Sequence, residues 1–73
     1  MNYNISMEIE IKIGKIRYDK KLTLIELSKL SGIPKSTLYD IEVGNISPRL
    51  AHLEKIAKAL NVRINDLFES EFQ

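Results

Sequence analysis

The sequence predicts an all-α fold, a compact bundle of four to five short helices around one core. Three observations support this fold class. After residue 8 the apolar residues recur at helical spacing, and capping residues and glycines divide these stretches into short segments. The chain has no cysteine to crosslink a small core, so its 73 residues must gain stability from close helix packing. A single domain over residues 1–73 is expected.

The composition argues against several classes of function. With no cysteine and a single histidine, His52, the chain lacks the ligands of the usual zinc sites, so no metal and no cofactor are expected. It offers neither a histidine–carboxylate–nucleophile set nor a glycine-rich phosphate loop, so no enzyme and no catalytic residue are expected. Its apolar runs are far shorter than the ~20 residues that span a bilayer, and no signal peptide is visible. We therefore expect a cytoplasmic protein without membrane contact.

The charge is unevenly distributed, although the formal net charge is only +1. Seven basic residues and two acidic ones lie between Lys12 and Lys35, whereas the last eight residues carry Asp66, Glu69 and Glu71 without a base. Such polarity is typical of a face that binds a polyanion, and it is equally typical of an ordinary solvated surface.

The first helix is predicted from about Glu8. Ile9, Ile13 and Ile16 have the spacing of one helix face, and the charged turn at 19–21 ends the helix. A strand remains open as an alternative at the start, because the isoleucines there also alternate with polar residues. Residues 1–7 are interpreted as a flexible arm or a short strand.

The next two helices carry strong end signals. Thr23 with Glu26 three residues later predicts a capping box, and Gly32 supplies the left-handed residue that ends a helix. Pro34 opens the third helix and Gly44 ends it.

A fourth helix is predicted to open at Ser47 before Pro48, since a capping side chain is followed there by a residue preset for helix. Asn61 takes the left-handed position at its end, and residues 69–73 form a frayed tail. The apolar stripe of this helix is Leu50, Leu53, Ile56, Ala57 and Leu60. A last short turn brings together Ile64, Leu67 and Phe68.

Residues 24–43 have the spacing of a helix-turn-helix. Apolar residues stand at 27, 33, 38 and 41, a small residue, Ser28, stands where two helices nearly touch, and Gly32 lies in the turn. A short turn of this kind joins two helices at a steep angle and leaves the second with one face outward. The chain resembles the Cro/phage-repressor family, often called XRE-like, from roughly Ile9 to Phe68. The resemblance is carried by KLTLIELSKLSGIPKSTLYDIEVGNISPRLAHLEKIAKALNVRINDLF.

This resemblance implies a five-helix DNA-binding domain that regulates transcription, here expected as a repressor. Such domains are usually dimeric on a palindromic operator of double-stranded DNA, with the recognition helix, 34–43 here, in the major groove. The residues implied to contact bases are Lys35, Ser36, Tyr39 and Asp40. Those implied to contact the DNA backbone are Arg17, Thr23, Leu24, Thr37, Asn45 and Arg49. Arg17 and Glu42 match a salt bridge that joins the first and third helices.

The second helix departs from the family pattern at its start. Relatives commonly have glutamine where this chain has Leu24, and the next residue, Ile25, is apolar instead of polar. Asp40 stands where arginine, serine or glutamine is common. These departures leave a second hypothesis, a protein-interaction module on the same fold that binds as an antitoxin or antirepressor-like partner through Leu24–Ile25 or the tail.

Overall fold

The computed structural model describes residues 9–70. The α-helices in this part of the chain are α1 (Ile13–Asp19), α2 (Leu24–Ser31), α3 (Lys35–Glu42) and α4 (Leu50–Leu60). A 3₁₀ helix over Ile64–Leu67 follows, and two short strands, β1 (Ile9–Ile11) and β2 (Phe68–Ser70), form a small antiparallel sheet. The predicted all-α helical bundle is confirmed, with the sheet as a minor addition. No helix among residues 9–70 is long and apolar enough to cross a membrane.

The structure corrects the prediction for the start of the chain. The helix expected from about Glu8 begins only at Ile13, and the residues before it form β1, in which Ile11 pairs with Phe68. The alternating pattern, and not the helical one, applies here, because a distant strand supplies the hydrogen bonds. The arm or strand expected at 1–7 lies outside the described residues.

The tail is corrected for the same reason. The frayed tail predicted for 69–73 is wrong at Glu69, which pairs with Glu10 in the sheet and whose Oε1 lies 3.2 Å from Lys12 Nζ. Strand β2 extends to Ser70, and residues 71–73 lie outside the described part of the chain.

A core of apolar side chains holds the helices together. Each α-helix contributes to it, as do the α2–α3 turn and the 3₁₀ helix, so the outward faces of the short helices are set by the residues they bury. The buried residues are Ile13, Leu27, Ile33, Leu38, Ile41, Ile56, Ala57, Leu60 and Leu67.

The predicted ends of α2 and α3 are confirmed. Thr23 Oγ1 accepts a hydrogen bond from the Glu26 amide at 3.0 Å, and Glu26 Oε1 accepts one from the Thr23 amide at 2.8 Å. Gly32 follows α2 with φ +76°, a conformation that other residues adopt at a cost. Pro34 directly precedes α3, and Gly44 follows it with φ +83°.

The predicted start of α4 at Ser47 is wrong. The helix begins at Leu50 with Arg49 as its N-cap, and the Arg49 amide donates to His52 Nδ1 at 3.4 Å. His52 thus takes the position that glutamate or glutamine holds in a capping box, while the N-cap residue, Arg49, makes no side-chain cap hydrogen bond. Leu50 is 65% exposed and does not belong to the core stripe, whereas the predicted left-handed end at Asn61, with φ +58°, is confirmed.

Candidate nucleic-acid interface

The turn between α2 and α3 is fixed by its own hydrogen bonds. Ser28 Oγ donates to the Ile33 carbonyl at 2.6 Å, and the Gly32 amide donates to the Ser28 carbonyl at 2.8 Å. The Ile33 amide in turn donates to Ser31 Oγ at 3.2 Å. Ser28 is therefore more than a small residue at a close approach, because its hydroxyl links the two helices through the turn.

The packing of α3 decides which of its faces points outward. Leu38 and Ile41 are fully buried, so residues on the opposite side of the helix are turned to solvent. Tyr39 is 51% exposed and Asp40 is half-buried. The four residues implied to contact bases lie around one shallow depression of about 330 Å³. This depression, called the α3 depression below, is lined by Leu24, Lys35, Ser36, Tyr39 and Asp40.

Asp40 is tied to the loop that follows α3. Asn45 Nδ2 donates to Asp40 Oδ1 at 3.1 Å. The amides of Asn45 and Ile46 donate to the Asp40 carbonyl at 2.8 and 3.3 Å. Asn45 is implied to contact the DNA backbone and Asp40 is implied to contact a base. Because these two residues are hydrogen-bonded to each other, their positions are not independent.

Arg17 and Glu42 form a bidentate ion pair between α1 and α3. Arg17 Nε lies 2.7 Å from Glu42 Oε2 and Nη2 lies 3.0 Å from Oε1, while Nη1 donates to the Leu22 carbonyl at 2.8 Å. The hydrogen bonds that Arg17 donates to Glu42 raise the pKa of the guanidinium above its ordinary value. With the side chains only 19% and 10% exposed, the pair fixes α3 against α1 and the start of α2.

Gly14 is a residue of this site that the sequence analysis missed. A Cβ atom at this position of α1 would lie 3.1 Å from Glu42 Oε1, closer than side chains normally approach. The available signal was glycine inside a helix, which lowers helix stability and so indicates a close approach of another group.

A second hollow, of about 560 Å³, lies beside the N-terminus of α2 and is lined in part by Lys21 and Thr23. The capping box uses the amides of Thr23 and Glu26, whereas the amides of Leu24 and Ile25 lie in the first turn, where a helix offers no carbonyl partner. Such an end attracts anions.

The remaining residues implied to contact DNA do not line the α3 depression. Arg49 and Asn45 are exposed and Thr37 is half-buried on α3. The described residues contain no group of histidine and acidic side chains that could hold a metal ion. The residues around the α3 depression offer hydrogen-bond donors, acceptors and the apolar side chain of Leu24, a combination that suits binding.

Comparison with known proteins gives three agreeing results. A model of the helix-turn-helix family matches residues 13–67. The immunity repressor protein of Bacillus phage phi105 is 32% identical over 65 residues, which are 89% of this chain and 45% of the phage protein. An HTH-type transcriptional regulator of Archaeoglobus fulgidus is 37% identical over 57 residues, 78% of this chain and 81% of that protein.

A solved structure agrees with these relatives. The N-terminal DNA-binding domain of SinR from Bacillus subtilis superposes with a TM-score of 0.70 at 33% identity, over 74% of this chain and 80% of that domain. The chain spans less than half of the phage repressor but about four-fifths of the archaeal regulator. The family model matched to residues 13–67 includes the helix-turn-helix of this chain, residues 24–43.

Proposed function

Because the chain belongs to the XRE-type helix-turn-helix family, we propose that it binds double-stranded DNA sequence-specifically and represses transcription. In this proposal α3, within residues 34–43, lies in the major groove. One observation carries it: Lys35, Ser36, Tyr39 and Asp40 surround a single depression on the outward face of α3. The named relatives are regulators, so the proposed activity is binding, without a catalytic residue, metal or cofactor.

The side chains around the α3 depression differ in what they can read. Lys35 donates and suits guanine O6 or N7, while Ser36 both donates and accepts. Asp40 has one oxygen engaged by Asn45, and its other oxygen can accept from cytosine N4. The Tyr39 hydroxyl can bond a base edge or a phosphate.

Backbone contacts would surround this reading surface. The N-terminus of α2 offers the Leu24 amide to a phosphate, with Thr23 and Lys21 beside it. Arg17 uses three of its five N–H groups inside the protein, which leaves two that can donate to a phosphate. The further backbone contacts proposed are Thr37, Asn45 and Arg49.

The small size of the reading surface supports a dimer on DNA. One recognition helix contacts only a few base pairs, too few to select a site in a genome. A second copy on a palindromic operator doubles the number of bases read, with half-sites about 34 Å apart. Since the named relatives come from a bacterial phage and from an archaeon, where DNA lies in the cytoplasm, the proposed place of action is the cytoplasm.

Selection from random duplexes, followed by titration at several salt concentrations, tests the proposal. We expect one enriched motif, and a duplex affinity that falls with a log–log slope of about −0.9 per phosphate neutralised. Arg49→Ala should weaken all duplexes alike and flatten this slope by about one unit.

Lys58→Ala is the matched control, because it removes an exposed positive charge at the opposite end of α4 from Arg49. It should leave the slope unchanged. An affinity that does not depend on salt, with no enriched motif, would contradict the proposal and favour the protein-interaction module. Ile25, 53% exposed beside Leu24, offers that module an apolar contact.

A further inference from the structure

The α3 depression contains an apolar patch that the polar contacts described above do not use. Its surface is mostly apolar, although Lys35, Ser36 and Asp40 contribute to it. Leu24 supplies an aliphatic side chain from α2, and Tyr39 supplies a ring from α3. A chain that used only charges and hydrogen bonds on DNA would gain nothing from a leucine here.

Leu24 is also held in place. It is half-buried and packs against the core, so only part of its side chain is open to the α3 depression. A side chain that already packs against the core loses little conformational entropy when a ligand covers its remaining exposed surface. Ile25, the next residue, does not line the α3 depression. Leu24 is therefore the aliphatic residue that a base in the major groove would contact there.

We infer that the α3 depression receives the 5-methyl group of a thymine, and that Leu24 is a specificity-determining residue for it. The inference rests on the proposed DNA binding. In the major groove the thymine methyl is the apolar group that distinguishes one base from the others, so an apolar patch among polar readers fits it. The Leu24 amide remains available for the proposed phosphate contact, because side chain and backbone are separate groups.

Two of the polar residues around the patch agree with thymine. Lys35 and Ser36 carry donors, and thymine presents the O4 acceptor next to its methyl group. Cytosine at the same place would bring no methyl group, and it would turn its N4 donor toward the Lys35 ammonium. Leu24 and Lys35 thus favour thymine over cytosine at this base pair, and the cytosine contact proposed for Asp40 belongs to a different base pair.

Replacement of single thymines by deoxyuridine tests this contact, since it removes the methyl group and leaves the Watson–Crick pairing intact. The probe is the duplex selected by the parent protein, with each thymine changed in turn. We expect a roughly fourfold loss of affinity at one thymine of each half-site, the effect of about one buried carbon, and little change at the others.

Variants at position 24 assign the contact to Leu24. Leu24→Ala and Leu24→Gln should each bind two duplexes with equal affinity: the selected duplex, and the same duplex with deoxyuridine in place of the sensitive thymine. Leu30→Ala is the matched control, because Leu30 lies on the same helix, is 59% exposed and does not line the α3 depression. It should keep the fourfold difference. Thermal melts show which variants are folded, and the scan with the parent protein needs no variant at all.

The outcomes separate the two proposals. A selected motif in which no thymine is sensitive to loss of its methyl group overturns the thymine contact and leaves sequence-specific binding standing. A sensitive thymine whose effect survives in folded Leu24 variants overturns the role of Leu24. Failure to select any sequence overturns the proposed function, and the inference falls with it.

Discussion

Asp40 and Glu42 are carboxylates of the same helix, α3, and they face different surroundings. Both Glu42 oxygens bond the Arg17 guanidinium, and the side chain is 10% exposed. Asp40 lines the α3 depression and accepts one hydrogen bond, from the neutral amide of Asn45. A carboxylate saturated by a guanidinium stabilises helix packing, whereas one with a single neutral donor keeps the capacity to accept from outside. On α3, Glu42 therefore fixes the helix against α1, whereas Asp40 keeps an acceptor for a binding partner.

Removal of the Glu42 carboxylate should have the largest effect, a loss of folding stability. Glu42→Ala leaves the Arg17 guanidinium without its ionic partner at a mostly buried site. We expect a loss of about 2–3 kcal/mol in the free energy of unfolding, below the value for a deeply buried pair because the site borders solvent. Urea denaturation at neutral pH measures it.

Glu69→Ala is the matched control for the Arg17–Glu42 pair. It removes the Lys12–Glu69 pair, in which the Glu69 side chain is 61% exposed, and should cost only ~0–1 kcal/mol. If the Glu42 and Glu69 variants were equally stable, the view that Glu42 holds α3 in place would be wrong.

Removal of the Asp40 charge should change DNA binding and leave the free energy of unfolding nearly unchanged. Asp40→Asn removes the repulsion of phosphates and can pair with adenine N6 and N7. We expect tighter nonspecific binding and a shift toward adenine at one base pair, worth about 1–2 kcal/mol. Asp40→Ala should relax that position without a new preference. Selection with each variant reads out the motif, and unchanged motifs in both would place Asp40 outside the interface.

Asn45→Ala sharpens this prediction, because it removes the side-chain bond to Asp40 while the residue-40 carboxylate stays. If Asn45 positions the carboxylate, preference should weaken at the same base pair that Asp40→Ala relaxes. A loss of affinity shared by all duplexes would instead assign Asn45 to the DNA backbone alone.

The approach of Gly14 to Glu42 predicts a smaller, conditional effect. Alanine inside a helix normally stabilises it by about 0.5–1 kcal/mol over glycine. Here its Cβ would crowd Glu42 Oε1, so Gly14→Ala in the parent should bring no gain. In the Glu42→Ala background the crowding atom is gone, and the same change should recover the full gain. Equal gains in both backgrounds, from urea denaturation, would rule out a close contact.

A third carboxylate, Glu26, gives the smallest effect and a dependence on pH. The Thr23 amide and hydroxyl hold the pKa of this exposed carboxyl below its ordinary value. Its contribution to stability is therefore present above the ordinary pKa and is lost as the pH falls through the lowered one. Glu26→Gln should melt slightly below the parent at neutral pH, and the difference should shrink in acid. A gap that widened in acid would contradict the capping interaction.

Local signals predicted most of what positions α3. Thr23 with Glu26 and the left-handed Gly32 act through neighbours within a few residues, so the sequence alone could place the ends of α2. The buried stripe of Leu38 and Ile41 likewise follows from helical periodicity. Once those residues are buried, the outward face of α3 is determined.

The features that sequence reasoning missed depend on distant or unusual partners. The alternating isoleucines allow a strand at β1, but a local pattern cannot show that Ile11 pairs with Phe68 from the other end of the described chain. The start of α4 has Arg49 as its N-cap, where capping preferences favour serine or threonine, and His52 accepts the Arg49 amide as glutamate or glutamine does in a capping box. The link from Asn45 to Asp40 spans the turn at Gly44 and depends on the backbone conformation of that turn.

Amide chemical shifts during titration with the selected duplex test the central claim most directly. If α3 reads the major groove, the largest shifts should fall on residues 35–40 and on the first turn of α2, with small ones over the 3₁₀ helix and β2. The same titration with Lys35→Ala should weaken the shifts along α3 without moving them elsewhere. Largest shifts over residues 64–70, with those of α3 unchanged, would contradict the assignment of α3 as the recognition helix.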